Sequence, residues 1–194
     1  MKITALVENQ SNCELKAKHG LSLYIETSRH KILFDVGPDD TLFENSNMLG
    51  IDLLKVDTVI LSHGHFDHGG TLEKFLKINR SAKVYAQRKA FEKHYSKFLF
   101  LKVNVGVASH LQTHPQVVLL DGDYTIDDEL TLFTVPDTEK HHSSANDALY
   151  TDKGKDDFSH EQNLMVLGSA NAYSYFAERL PNMNYLSCGE TIDI

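Results

Sequence analysis

The sequence predicts an α/β (α+β) fold, a mixed sheet system with helices on its outer faces. The first part of the chain reads as short apolar strands, the middle alternates helical and strand patterns, and the last part returns to strands. With 194 residues, 41% of them hydrophobic and 24% charged, the chain can build one substantial core and is short for two. No internal repeat or linker divides it, so we expect a single domain over residues 1–194.

The N-terminal part is predicted to form three strands and a helix. Apolar and alternating patterns indicate strands over 2–8, 21–27 and 30–35. The short connection at Ser28-Arg29 favours a hairpin between the second and third strands. A helix is predicted from about residue 40 to 49, and Gly50 is a typical stop signal.

The rest of the chain reads as further helices and strands around one long polar segment. Helices are predicted over 71–78, 88–95 and 172–180, with strands over 57–62, 82–86, 116–120, 124–126, 130–135 and 163–167. Residues 136–159 are rich in Asp, His, Ser, Lys and Gly, which predicts a long loop. The chain is predicted to close with a hairpin of 184–187 and 191–194.

Charge and composition argue against two classes of partner. The formal net charge is 19 − 27 = −8, whereas nucleic-acid binding needs clustered Lys and Arg. Lys89, Lys93, Lys97 and Lys102 recur at roughly helical spacing, which favours a solvated face. No apolar stretch approaches the roughly 20 residues of a membrane span, and the N-terminal segment reads as a strand and not as a secretory signal. We therefore expect a cytoplasmic protein that binds neither nucleic acid nor membrane.

The two cysteines do not predict a disulfide framework. Cys13 and Cys188 lie far apart in the sequence and form no Cys-x-x-Cys motif. We expect both to be small buried or half-buried residues.

The run His63-Gly64-His65-Phe66-Asp67-His68, called the metal loop below, carries the strongest chemical signal. Three imidazoles and a carboxylate this close together repel one another when charged, whereas divalent metals bind neutral imidazole and ionised carboxylate. The run follows a predicted strand and precedes Gly69-Gly70, so it is a loop at the carboxyl end of a strand. The alternative is a polar loop that happens to be rich in histidine.

The spacing of these four side chains suggests two metal positions. His63 and His65 are two residues apart, so both imidazoles can point to one side of an extended loop. Asp67 and His68 lie beyond them, where the chain turns, and can reach a second position. Paired cations of this kind clamp the attacking and leaving oxygens in a hydrolysis.

The metal loop matches the His-x-His-x-Asp-His signature of the metallo-β-lactamase superfamily, and residues 1–80 resemble the N-terminal half of that superfamily. The resemblance implies an αββα sandwich with a dinuclear zinc, iron or manganese site. It assigns His63 and His65 to the first metal, and Asp67 and His68 to the second. Asp67 would also orient the nucleophilic hydroxide as the catalytic residue. Asp35 would support the loop by hydrogen bonds, unless it only caps a turn.

Three stretches resemble one branch of the superfamily, that of the dihydropterin/ribofuranosylaminobenzene phosphate synthase-like metallohydrolases. They are Lys18-His19-Gly20-Leu21-Ser22, Phe34-Asp35-Val36-Gly37-Pro38 and Asp157-Phe158-Ser159-His160-Glu161-Gln162. The superfamily also needs histidine ligands from its C-terminal half, and their motifs are missing from this sequence. We therefore predict an internal deletion near 167–172 and a fold that is incomplete in its C-terminal half.

Other histidines are candidates for the missing ligands. His141, His142 and His160 could replace them, against the simpler reading that they are loop residues. His19 is a candidate near the site, and His110 and His114 are expected at the surface because no glutamate completes a His-Glu-x-x-His motif.

Two functions follow as hypotheses. The first is a hydrolase in which a metal-bound hydroxide attacks an ester, lactone, thioester or phosphoester of a small molecule, with zinc as the expected ion and iron or manganese as alternatives. The second is a catalytically degenerate metal-binding or assembly module that has lost its C-terminal ligands. Deleting part of the sandwich would expose an edge or an apolar face, so a homo-oligomer is also expected.

Overall fold

The computed structural model describes residues 1–98, 101–134, 148–156, 165–167 and 187–193. The strands are β1 Lys2–Val7, β2 Ser22–Glu26, β3 Lys31–Phe34, β4 Thr58–Leu61, β5 Lys83–Gln87, β6 His94–Phe98, β7 Leu101–Asn104, β8 Val117–Leu120, β9 Tyr124–Thr125, β10 Thr131–Phe133, β11 Leu149–Thr151, β12 Gly154–Lys155, β13 Met165–Leu167 and β14 Thr191–Asp193. The α-helices are α1 Thr41–Met48, α2 Phe66–Gly69 and α3 Leu72–Ile78, with 3₁₀ turns at Leu53–Lys55, Arg88–Phe91 and Ser109–Thr113.

The largest sheet has seven strands in the order β14-β1-β2-β3-β4-β5-β8. Strands β14, β1, β2 and β3 pair antiparallel, and β3, β4, β5 and β8 pair parallel. The predicted hairpin of the second and third strands is confirmed by the antiparallel pairing of β2 with β3. Because β3 and β4 run parallel, the residues that follow them emerge at one edge of the sheet.

Both faces of this sheet are covered. Successive residues of a strand point to opposite faces, so Leu33 and Val59 join the cluster under the helices while Ile32 and Ile60 join the other. Helices α1 and α3 pack on the first face, where Phe75 is fully buried. The second face packs against Leu132 of the small sheet β13-β10-β9. The described residues thus form an αββ arrangement, and the helix predicted over 172–180 lies outside them.

Most predicted elements of the N-terminal half are confirmed, whereas the helix predicted over 88–95 and the long loop predicted over 136–159 need correction. The helix predicted over 88–95 is instead a 3₁₀ turn followed by strand β6. His94-Tyr95-Ser96-Lys97-Phe98 pairs with β7 on one side and β11 on the other, and this cross-strand pairing overrides the helical lysine spacing. Lys97 and Lys102 therefore lie on neighbouring strands, where their ammonium groups stack on Tyr150 and Tyr95.

The four-stranded sheet β12-β11-β6-β7 also corrects the long loop predicted over 136–159. Residues 149–151 and 154–155 form a tight antiparallel pair, since Gly154 adopts the positive φ that the turn requires. All four residues of strand β7 are exposed, among them the apolar Leu101 and Val103. Within the described ranges, no helix combines the length and the apolar character needed to cross a bilayer.

The C-terminal strand β14 pairs with β1 at the edge of the large sheet. Cys188 precedes it and is buried, whereas Cys13 is exposed, contrary to the expectation that both would be covered. Both thiols are free, as predicted. The hairpin partner predicted at 184–187 lies outside the described residues except for Ser187.

A cluster of charged groups joins the β2–β3 turn to the acidic turn before β10. His30 lies between two carboxylates, with Nδ1 3.0 Å from Asp57 Oδ1 and Nε2 2.8 Å from Asp127 Oδ2. Burial alone would lower the pKa of His30, but the hydrogen bonds and charges of Asp57 and Asp127 outweigh it and raise that pKa. Glu129 accepts hydrogen bonds from Ser28 and Thr27, which lower its pKa to about 2.

The raised pKa of His30 predicts a stability that depends on pH. The interaction of imidazolium with the two carboxylates is fully present below the unfolded pKa of about 6.5 and is lost as pH rises through the higher folded pKa. We expect His30→Gln to lose about 1 kcal/mol of stability at pH 6 and less at pH 9. Urea unfolding of both proteins between pH 5.5 and 9 tests this, with the exposed His110→Gln as control. Equal pH slopes for His30→Gln and the unaltered chain would contradict it.

Candidate metal centre

The metal loop lies where the two parallel strands β3 and β4 end. Asp35 follows β3, and Ser62 and His63 follow β4, so the three residues meet at one edge of the sheet. His65 ends the extended part of the loop, and Asp67 and His68 lie in the short helix α2. This change from extended to helical backbone gives the loop its sharp turn.

Backbone hydrogen bonds fix the metal loop on two sides. On one side, Val36 and Leu21 donate to the carbonyls of His68 and Asp67, at 2.8 and 3.3 Å. On the other side, the segment 105–107 pairs with the loop, since Phe66 N donates to Val105 O at 2.7 Å and Val107 N donates to Gly64 O at 2.8 Å. The loop is therefore held by tertiary contacts as well as by its own turn.

Asp35 supports the loop from below. Its carboxylate is fully buried and accepts hydrogen bonds from Ser62 N at 2.7 Å, from Ser62 Oγ at 2.6 Å and from His68 Nδ1 at 2.6 Å. Asp35 has a φ of +59°, a left-handed conformation that Asp tolerates better than most residues. The structure therefore favours the supporting role over the simple turn cap.

This network also orients two imidazoles of the loop. His68 donates its Nδ1–H to Asp35, while Ser62 Oγ donates to Asp35 and so accepts from His63 Nδ1, 2.9 Å away. When these rings are neutral, Nε2 is the nitrogen with the lone pair, and this is the form that binds a metal. The rings of His63 and His68 lie 4.1 Å apart between centroids.

Asp67 and His68 lie together on the more open side of the loop. Asp67 Oδ2 is 3.7 Å from His68 Nε2, and both side chains are about one-fifth exposed, at 19% and 20%. His19, proposed as a near-site residue, has its Nε2 3.4 Å from Asp67 Oδ2 and its Nδ1 2.8 Å from Asn9 Oδ1. This side could admit a small molecule.

On the inner side, His65 meets two residues from the four-stranded sheet. Asp156 Oδ2 lies 3.1 Å from His65 Nε2 and 2.6 Å from His94 Nδ1, and one ligand atom from each residue lies within 4.8 Å of the others. His65, His94 and Asp156 are all buried, at 5%, 1% and 0% exposure. We call these three residues the inner triad.

The pKa values of two histidines in the metal loop are shifted in opposite directions. Burial, together with the neighbouring imidazoles of His68, His65 and His94, lowers the pKa of His63 well below its ordinary value, so this ring is neutral at pH 7. For His68, burial would lower the pKa, but the hydrogen bond and charge of Asp35 raise it. A divalent ion that binds His68 would therefore have to compete with a proton for the ring nitrogen.

The structure brings the four sequence-predicted ligands into one cluster and adds two residues that the sequence did not predict. The two additions, His94 and Asp156, lie on β6 and just after β12. Sequence analysis missed His94 because it assigned the segment to a helix, and Asp156 because it assigned the segment to a loop. His141, His142 and His160 lie outside the described residues. His110 is at the surface as expected, and His114 follows the same 3₁₀ turn.

The donor set fits a divalent metal. Imidazole nitrogens and carboxylate oxygens are the ligands of zinc, iron and manganese. Two tetrahedral ligands at about 2.1 Å from zinc lie about 3.4 Å apart. The spacing of 3.7 Å between Asp67 and His68, and of 3.1 Å between His65 and Asp156, lies close to that value.

The sequence matches the model of a known family over most of its length. The family model of the metallo-beta-lactamase superfamily matches residues 16–151. The chain belongs to this superfamily. The chain is also 29% identical over 130 residues to the uncharacterized protein MJ0448 of Methanocaldococcus jannaschii, covering 66% of this chain and 50% of that protein. The sequence-based recognition of the superfamily is confirmed.

A second relative belongs to the branch that the sequence indicated. It is the 7,8-dihydropterin-6-methyl-4-(beta-D-ribofuranosyl)-aminobenzene-5'-phosphate synthase of the same organism, 34% identical over 100 residues. The match covers 47% of this chain and 34% of the synthase. The chain therefore spans half or less of the length of both curated relatives.

A solved structure shows that the metallo-β-lactamase fold extends over most of the chain. The crystal structure of Tm1679, a metal-dependent hydrolase of the beta-lactamase superfamily, matches with a TM-score of 0.66 and 20% identity, covering 95% of this chain and 72% of that chain. The predicted fold class is thereby confirmed. The internal deletion predicted near 167–172 lies outside the described residues except for Leu167.

Proposed function

We propose that this superfamily member is a metal-dependent hydrolase of small molecules that carry an ester, lactone, thioester or phosphoester bond. His63, His65, Asp67 and His68 would hold the metal, with zinc as the expected ion. One observation carries the proposal: Ser62 holds the Nδ1 of His63 and Asp35 holds the Nδ1 of His68, which leaves the Nε2 of each ring to bind a metal, and His68 Nε2 lies 3.7 Å from Asp67 Oδ2. Such outer hydrogen bonds are typical of histidines that bind metals.

A divalent ion held there would polarise the scissile bond and lower the pKa of a water toward neutrality. The role of the protein is to orient the reacting groups. Asp67 is partly exposed beside His68 and His19, so its carboxylate can accept a proton from the attacking water and direct that water at the substrate. The buried carboxylate of Asp35 keeps His68 in position and does not touch the substrate.

The substrate panel follows from the name of the synthase relative and from the open side of the site. The synthase relative is named for a phosphorylated ribofuranosyl compound, so a phosphoester belongs in the panel. We suggest p-nitrophenyl acetate, a γ-lactone, an acyl thioester and bis-p-nitrophenyl phosphate, each tested with zinc-loaded protein.

Asp67→Asn tests the proposed role of Asp67. We expect this variant to keep the fold and to lower kcat by about 100-fold, because the amide cannot accept the proton. Steady-state kinetics on the best substrate of the panel measures this effect. His110→Asn, which alters an exposed histidine, should leave kcat unchanged. Activity that survives both EDTA treatment and Asp67→Asn would overturn the proposal.

The alternative is a binding module without catalysis, and one contact favours it. Asp156 pairs with His65 and His94 directly, which can hold the inner side of the loop together without an ion. This alternative predicts that removal of metal leaves the thermal midpoint unchanged and that zinc-loaded protein hydrolyses none of the four substrates.

A further inference from the structure

We propose that the inner triad of His65, His94 and Asp156 binds a divalent metal ion, so that two residues outside the metal loop take the place of the C-terminal histidine ligands whose motifs are missing from the sequence. The inference deepens the proposed function, on which it rests for the assignment of His65 as a ligand. It assigns a metal-binding role to β6 and to the residue after β12, which carry no recognised motif.

The distances support direct ligation. His65 Nε2 and Asp156 Oδ2 are 3.1 Å apart, close to the spacing of about 3.4 Å between two ligands of a tetrahedral zinc ion. His94 Nδ1 is closer to Asp156, at 2.6 Å, so an ion requires only a small outward movement of one ring. Two imidazoles and one carboxylate are also a common catalytic zinc set, with one position left for water or substrate.

Burial points in the same direction. The carboxylate of Asp156 is fully buried between the imidazoles of His65 and His94, and such a buried carboxylate beside two imidazoles is a ligand set that a divalent ion can bind. The second ring nitrogen of His94, Nε2, is also buried and makes no hydrogen bond within the described part of the chain. A purely structural histidine usually pairs both ring nitrogens, whereas His94 is held only through Nδ1, the nitrogen that faces Asp156 and would bind the ion.

The unpaired edge of His94 faces the metal loop. A Cβ placed on Gly64 would lie 2.6 Å from His94 Nε2, so this nitrogen lies directly against the loop backbone. The rings of His65 and His94 meet edge to face, with centroids 4.9 Å apart. Strand β6 thus presents a second buried imidazole to the ligand that the loop already supplies.

The test is zinc binding by the purified full chain after removal of metal, measured by competition with a chelator. We expect His94→Gln and Asp156→Asn to weaken the tighter zinc equivalent by more than about 100-fold, beyond the effect usual for an outer partner of a ligand. The matched controls are Asp152→Asn, an exposed carboxylate of the β11–β12 hairpin, and His110→Gln, and both should bind zinc as the unaltered chain does.

Two further measurements separate a ligand from a structural residue. Cobalt(II) bound to the unaltered chain should give the strong visible bands of a four-coordinate site, and these bands should weaken in His94→Gln. Thermal unfolding with EDTA and with zinc gives the second measurement. Loss of the zinc-dependent rise in Tm supports ligation, whereas an equal fall in Tm in both conditions overturns it. If Asp156→Asn does not fold, His94→Gln still decides the question.

Zinc binding by the inner triad and hydrolysis by the protein can fail independently of each other. If zinc binding depends on His94 and Asp156 but no substrate is hydrolysed, the inner triad stands and the proposed hydrolase fails. If hydrolysis depends on Asp67 while His94→Gln and Asp156→Asn bind zinc and cobalt normally, the inner triad is overturned and the hydrolase stands.

Discussion

Replacement of Asp35 by alanine is expected to lower the free energy of unfolding by about 3–5 kcal/mol, the usual cost of removing one partner from a buried charged pair. The carboxylate has no exposure and accepts three hydrogen bonds, two from Ser62 and one from His68. Its loss leaves the Ser62 amide, the Ser62 hydroxyl and the His68 Nδ1–H without their acceptor. Alanine also fits the φ of +59° less well than aspartate does.

Asp35→Asn separates the chemistry of Asp35 from its backbone conformation. Asparagine tolerates the left-handed region, but its side chain offers one acceptor oxygen and an NH₂ group that faces another donor. We expect a smaller loss of stability than in Asp35→Ala, together with zinc binding weakened by about 10–100-fold, since His68 loses its fixed tautomer. Urea unfolding and zinc competition measure the two effects.

The control for both variants is Asp40→Asn. Asp40 is an exposed carboxylate paired with Lys74, and such surface pairs contribute at most about 1 kcal/mol. Asp35→Asn that is as stable as the unaltered chain, with unchanged zinc affinity, would contradict the assigned role of Asp35.

The sequence predicted the part of the site that local pattern determines. The metal loop, the strands that precede its residues and the supporting Asp35 are each encoded within short segments, where apolar periodicity and glycine positions carry the information. Parallel pairing then brings Asp35 to Ser62, across 27 residues, because the carboxyl ends of β3 and β4 share one edge. This much follows from a few elements and one topological rule.

The inner triad could not be predicted in this way. Asp156 is 91 residues from His65 and 62 from His94, and no local pattern connects these segments. The available signal for β6 was weak: Tyr95 and Phe98 are aromatic residues that favour strands, whereas nearby lysines at helical spacing suggested a helix. Pairing with β7 and β11 makes this segment a strand, and that pairing is seen only in the tertiary structure.

At two glycines, the backbone in or beside the metal loop lies so close to another backbone segment that a side chain would not fit. A Cβ on Gly20 would lie 2.2 Å from the carbonyl oxygen of Asp67, and one on Gly64 would lie 1.9 Å from the carbonyl oxygen of Ala90. The close backbone approaches at these glycines therefore help to position the histidines of the signature, in addition to the histidines' own contacts. Their spacing in the sequence alone does not contain this constraint.

Gly64→Ala is accordingly expected to destabilise the protein by at least about 3 kcal/mol, in the range of severe overpacking, or to prevent folding. The added methyl group would meet the backbone of Ala90, which cannot move as the end of a flexible side chain can, and it would also lie 2.6 Å from His94 Nε2. Relief requires the metal loop to move away from Ala90 and from the ring of His94, which would separate His65 from His94. The midpoint of thermal unfolding and the zinc affinity measured by competition should therefore both fall, even if the variant folds.

The control for this prediction is Gly50→Ala, which isolates the cost of backbone conformation. Its Cβ would meet nothing within 4 Å, so only the positive φ of 68° opposes the substitution, at a cost of about 1 kcal/mol. Gly64 has no such conformational requirement, and its expected cost comes from the close approach alone. If Gly64→Ala is no less stable than Gly50→Ala and binds zinc normally, the loop and β6 are not packed as tightly as described, and the inner triad loses the contact that holds it together.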